Sequence, residues 1–164
     1  MNKPVVIGID PGSHSAGIAV TEGHEVLYSN TIDSLTNAKW DDNDLGDLMV
    51  EFMLAVQEAI ETYKPELMVV ELTSVPNNMH TNKLLAYWEA AAIIAGSMSG
   101  IFIKRMRTKE ARKLALGKGD MKKESAINMV CDFFNIRYPD DEAEAIMFAW
   151  AGVESLKKAN INGG

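Results

Sequence analysis

The chain has 164 residues, 47% hydrophobic and 24% charged, which suits a globular protein of one domain with a sizeable core. No apolar stretch is long and charge-free enough to span a bilayer, and the N-terminal run is too short for a signal peptide, so a cytoplasmic protein with no membrane partner is predicted. A net charge of −7 speaks at first against nucleic acid.

Residues 4–9 form an apolar, β-branched run, the composition of a buried strand. The run ends on Asp10 and breaks at PGSHSAG, a tight turn. A buried charge is costly unless paired, so Asp10 belongs at a sheet rim facing a metal or polar ligand. AGIAVTE returns as strand two, and after Gly23, HEVLYSNTID alternates as strand three of an antiparallel meander. His14 lies in the first turn, close to Asp10. His24 and His80 fall in turns and are assigned no role.

The acidic stretch from Asp41 to Asp47 opens a long helix. Its Leu45, Leu48, Phe52, Val56 and Ile60 recur on one core stripe, and Lys64–Pro65 ends it. Leu67 to Glu71 repeats the strand-one pattern, an apolar run closing on an acid. Strand, long helix, strand is the crossover a parallel pair requires, and parallel neighbours would deliver Asp10 and Glu71 to one edge. That edge is where open α/β sheets place ligands.

The next helix, about 81–97, is apolar nearly all round, with Glu89 its sole charge from Leu84 to Gly100. One side can face the sheet and the other a second subunit, which predicts a homodimer. A central core helix in a monomer is the alternative. IFIKR gives a short fifth strand, and a short helix spans about 109–116. After the GKGD loop, Asp120 is expected to cap a helix over 121–134 whose Ile127, Val130 and Phe134 are buried. The lone Cys131 is core material there, as are Trp88 and Trp150 in their apolar helices. Pro139 and Asp140 open a last helix to about Lys158, before a frayed tail. No repeat or linker marks a second domain, so 1–164 reads as one domain.

Charge is unevenly spread. From Lys104 to Lys123 there are nine bases, among them Arg107, Arg112, Lys113, Lys118 and Lys122, against only Glu110 and Asp120. A +7 segment therefore sits on a body of −14. Such a segment fits a phosphate grip as readily as a solvated helix face. In the last helix Asp141 and Glu144 share a face. Favourable placement against the helix dipole would also explain that pair. Taken with Asp10 and Glu71 they make four carboxylates, hard ligands suited to Mg²⁺ or Mn²⁺ rather than zinc. Two such ions about 4 Å apart would clamp a phosphodiester, the arrangement of a metal-dependent nuclease.

Four segments, GIDPGSHSAGIAV, VVE after YKPE, GKGDMKKESAINMV and DEAEAIMFA, resemble in order and spacing the RuvC-type Holliday-junction resolvases. The resemblance implies a ribonuclease H-like α/β fold. Its five-stranded mixed sheet has strands one to three antiparallel and strands four and five parallel to the first, with flanking helices. It also implies a homodimer through the helix near Leu84 to Ile94, and two-ion, Mg²⁺-dependent nicking of four-way DNA junctions. Asp10, Glu71, Asp141 and Glu144 match the family's catalytic, metal-holding acids. Lys118 and Lys123 match positions that touch DNA, and Lys122, Arg107, Arg112 and Lys113 extend that basic surface. Glu144 stands where the family has Asp or His, and Ser74 where many relatives carry a stacking aromatic. A branched-DNA-binding module with weak catalysis is one alternative, and four intact acids argue against it. A ribonuclease H acting on hybrids is another. An actin-like ATPase would need a second such domain.

Overall fold

The computed structural model describes residues 3–33, 42–73 and 79–162; Ser74 and Trp40 fall outside them. The sheet is built on β1 (Val5–Pro11), which pairs antiparallel with β2 (Ser15–Glu22) and parallel with β4 (Leu67–Glu71). Outside these lie β3 (Glu25–Asp33), antiparallel to β2, and β5 (Phe102–Met106), parallel to β4, giving the order β3-β2-β1-β4-β5. This is the mixed five-stranded sheet the sequence predicts. The parallel β1–β4 pair is joined by α1 (Asp42–Tyr63), and β4 and β5 by α2 (Met79–Met98). After β5 come α3 (Thr108–Leu116), α4 (Lys123–Phe134) and α5 (Asp140–Asn162). Among the described residues no helix is long and apolar enough to cross a membrane.

Strand parity divides the core in two. Successive side chains point to opposite faces, so Ile7 and Ile9 of β1 join Met68 and Val70 of β4 against α1 and α2. Phe52 and Trp88 meet edge to face there, with ring centroids 5.0 Å apart. Val6 of β1 joins Leu67 and Val69 of β4 against α5. Burial on both faces explains why β1 and β4 read as continuous apolar runs rather than alternating ones.

The α5 face is unusually tight. A Cβ on Gly8 would lie 2.1 Å from the Ala145 carbonyl oxygen, and one on Gly17 would lie 2.1 Å from that of Asp141. Glycine at these two positions lets the α5 backbone rest directly on the sheet. Ala143, Ala145 and Ala149, all fully buried, complete the contact from the helix side.

Three expectations are corrected. Asp120 does not cap α4, which begins at Lys123 after an extended Lys122 with no side-chain cap. Asp120 instead pairs with Lys109 at 2.6 Å, because a nearby ammonium competes better than backbone N–H groups for an exposed carboxylate. The last helix continues past Lys158 to Asn162. His24, left without a partner, reaches Glu154 at 2.9 Å and sits against the rings of Phe133 and Trp150.

Candidate active site

The same parity builds the site. Asp10 follows Val6 and Gly8 on alternate positions of β1, and Glu71 follows Leu67 and Val69 on β4. The register couples Ile9 with Val70, so the next step along both strands brings Asp10 and Glu71 side by side. Both therefore emerge on the α5 face at the carboxyl edge. There the first turns of α5, seated on Gly17, present Asp141 and Glu144. All four predicted acids line one cleft of about 400 Å³, with Lys123 and Arg112 on its wall.

Burial and like charge set the electrostatics. Asp10 is only 4% exposed, and its carboxyl is held well above the usual range by burial first, then by the charges of Glu144, Glu71 and Asp141. Glu71 is also raised by burial, although hydrogen bonds from Thr108 and Asp10 offset part of that. Asp10 and Glu71 are joined by a side-chain hydrogen bond, and burial raises both carboxyls. Glu144 is paired with cations. Lys123 Nζ lies 2.7 Å from Oε2, and Arg112 Nη2 lies 3.5 Å from Oε1. Burial alone would lower the Lys123 ammonium, but the hydrogen bond to Glu144 and the charges of Glu144, Asp10 and Asp141 raise it.

Protein hydroxyls hold the remaining acids. Thr108 donates to Glu71 Oε1, and Ser15 donates to Asp141 Oδ2. Beside them Ser29 donates to Glu142, which fastens the first turn of α5 to β3. None of the three hydroxyls stands out in the sequence, since Ser15 and Thr108 at element starts look like ordinary turn or cap residues and Ser29 lies in the middle of a strand. His14 is exposed at the mouth, with Ser13 Oγ 2.8 Å from its Nδ1.

The predicted basic residues separate into two groups. Arg112 is turned inward, its side chain 14% exposed, and donates to the Met121 carbonyl at 2.6 Å as well as facing Glu144. Arg107, Lys113, Lys118 and Lys122 are exposed on β5–α3, α3 and the loop before α4.

Among the described residues no three His, Cys, Asp or Glu side chains stand as a ready-made metal shell. The donor set nevertheless suits a hard divalent cation. It is all oxygen, it converges from three elements, and the Lys123 ammonium beside Glu144 already offsets part of its charge. Asp10, Glu71, Asp141 and Glu144 are the residues that would hold such an ion.

Known proteins resemble this chain in sequence and in fold. The sequence profile of the family described as crossover junction endodeoxyribonuclease RuvC matches residues 6–151. A relative of that description from Herminiimonas arsenicoxydans is 30% identical over 129 residues, covering 76% of this chain and 68% of its own. The fold is similar to that of a Thermus thermophilus RuvC structure, with a TM-score of 0.78, 18% identity, and 94% and 96% of the two chains covered. A structure of T. thermophilus RuvC in complex with Holliday junction substrate gives a TM-score of 0.79 at 16% identity, with the same coverage.

Proposed function

Because the chain belongs to the crossover junction endodeoxyribonuclease RuvC family, we propose that it is a Mg²⁺-dependent hydrolase that nicks four-way DNA junctions, and that residues 1–164 act as one nuclease domain. The observation that carries this reading is the meeting of Asp10, Glu71, Asp141 and Glu144 in one cleft with Lys123 on its wall. The four acids would hold two Mg²⁺ ions, for which Mn²⁺ would substitute. When bound, these ions supply Lewis-acid polarisation of the scissile phosphate and charge neutralisation at the leaving 3′ oxygen.

The residues of the chain do the rest. Asp10 and Glu71, fixed on adjacent parallel strands, would hold a cation at the carboxyl edge of the sheet. Asp141 and Glu144 complete the donor set from a helix whose own N-terminal dipole favours their charge. Lys123, on the cleft wall beside Glu144, would meet a phosphate beside the cut. The exposed Arg107, Lys113, Lys118 and Lys122 extend the DNA-binding surface.

The working unit is a homodimer through α2, in a cytoplasmic setting. Trp88, Ala91, Ala92 and Ala95 of that helix face the core, while Tyr87, Ile94 and Met98, on an adjoining stripe, are 43%, 48% and 68% exposed. A face of that kind is what a second subunit would cover. Sedimentation at micromolar concentration checks the dimer.

The activity is tested with a panel of labelled four-way, forked and RNA–DNA hybrid substrates. Nicking of the four-way junction that requires Mg²⁺ and is lost in Asp10→Asn is expected. Preference for hybrids would instead indicate a ribonuclease H, and binding without nicking would indicate a branched-DNA-binding module.

A further inference from the structure

We propose that Thr108 and Ser15 are positioning residues, each orienting one metal-holding carboxylate by occupying one of its oxygens and leaving the other for the cation. The proposal rests on the reading of this cleft as a metal-dependent nuclease site.

Thr108 donates its hydroxyl to Oε1 of Glu71, and Ser15 donates to Oδ2 of Asp141. Neither hydroxyl belongs to the element that supplies the acid. Thr108 opens α3, while Glu71 closes β4. Ser15 opens β2, while Asp141 lies in α5, 126 residues away. The contacts are therefore cross-ties between separately anchored pieces of backbone.

The ordinary explanation for a Thr at a helix start is capping. It does not apply here, because the cap position is Arg107 and no side chain caps α3. The hydroxyl is spent on Glu71 instead. Its anchor is firm: the Leu72 amide donates to the Met106 carbonyl at 2.9 Å, and the Ala111 amide to that of Arg107 at 3.0 Å. Ser15 is anchored by the hairpin, where the Gly12 amide donates to the Ser15 carbonyl at 2.8 Å.

A free Glu or Asp samples several rotamers, and ordering it on a cation costs that freedom. A hydroxyl on one oxygen removes most of the freedom beforehand. It also favours the ionised form that a cation requires. Outer-shell partners of this kind are typically worth 10–100-fold in metal affinity or activity.

The test compares the parent chain with Thr108→Val, which keeps shape and removes the donor, and with Thr108→Ser, which keeps the donor. Mn²⁺ affinity is read by calorimetry, junction affinity in EDTA by gel shift, and kcat and KM by nicking. Thr108→Val should weaken Mn²⁺ by about 10-fold or more and lower kcat, with KM and metal-free junction affinity unchanged. Thr108→Ser should restore both. Ser15→Ala should repeat the pattern, and it carries the comparison if the valine variant does not fold. Parent-like Mn²⁺ affinity in Thr108→Val and Ser15→Ala overturns the proposal. A loss that Thr108→Ser fails to rescue also overturns it. The parent's own nicking reports separately on the nuclease reading: a parent that binds Mn²⁺ but nicks nothing removes that reading and leaves the metal comparison standing. A parent that binds no Mn²⁺ removes both.

Discussion

Asp10 is where burial and charge conflict most sharply. It is buried to 4% exposure among three other acids, and that burial and their charges hold its carboxyl well above the usual range. The sign follows from linkage. The folded-state pKa of Asp10 is raised, as is that of Glu71, so the folded chain binds protons that the unfolded chain releases. Metal-free stability therefore falls as pH rises from the ordinary carboxylate range near 4 toward those raised values. Asp10→Asn removes the conflict while keeping the shape. In EDTA at alkaline pH this variant should melt above the parent, by about 3 °C for each kcal/mol of relieved repulsion in a chain this size. The gap should narrow as pH is lowered and close once the parent's Asp10 is protonated. Divalent ions should stabilise the parent and not the variant. Thermal melts over a pH series with and without Mg²⁺ check this, and a variant less stable than the parent in alkaline EDTA would mean that Asp10 is satisfied without a cation.

At the scale of elements, the site depends on how closely α5 lies on the sheet, and that closeness depends on Gly8 and Gly17. A methyl on Gly17 would meet the Asp141 carbonyl oxygen at 2.1 Å, and backbone cannot swing aside as a side chain can. Gly17→Ala should destabilise the fold by about 3 kcal/mol and abolish nicking even well below its melting temperature, because α5 must lift and carry Asp141 and Glu144 away from Asp10. Phe52→Ala is the contrast. Phe52 is fully buried against Trp88 on the far side of the sheet, so its loss should cost about 3–5 kcal/mol but leave nicking intact below the melt. Denaturant titration beside a nicking assay separates the two. This dependence also shows what could be read beforehand. The sheet order and the four acids were legible, because apolar runs, an acid closing each run and the α1 crossover all carry local signals. The small Ala143 and Ala145 hinted at tight docking, but their partners Gly8 and Gly17 sit within a stretch that reads first as strand and turn. The Thr108 and Ser15 hydroxyls were not legible, since a donor's target 37 or 126 residues away is set only by the assembled fold. Asp120 misled for a related reason: one lysine eleven residues earlier outcompetes a helix end.

Over the whole molecule, the +7 segment delivers fewer free charges than its composition promises. Arg105 is engaged by Glu89 at 3.0 Å, Lys109 by Asp120, and Arg112 and Lys123 by Glu144. Lys104 donates to Ser155 at 2.9 Å. Arg107, Lys113, Lys118 and Lys122 are exposed and carry no ion pair to any described residue. On a body of −14, these four and Lys123 are the cations of this segment that line up for a phosphate backbone. Each phosphate contact lowers the slope of log affinity against log salt by about 0.9, so a double variant, Lys118→Ala with Lys122→Ala, should flatten that slope by about 1.8. Arg105→Ala should leave it nearly unchanged, because that guanidinium is already committed to Glu89. The body's negative charge adds a second consequence. With so few free cations, binding should weaken steeply once salt screens them, and an acidic body repels DNA that approaches from any other side. Junction affinity measured from 50 to 200 mM salt, in EDTA so that cleavage does not intervene, tests both points. An unchanged slope in the double variant would mean that the grip lies on another face, and that the segregation of charge along this chain serves its acidic body rather than its DNA.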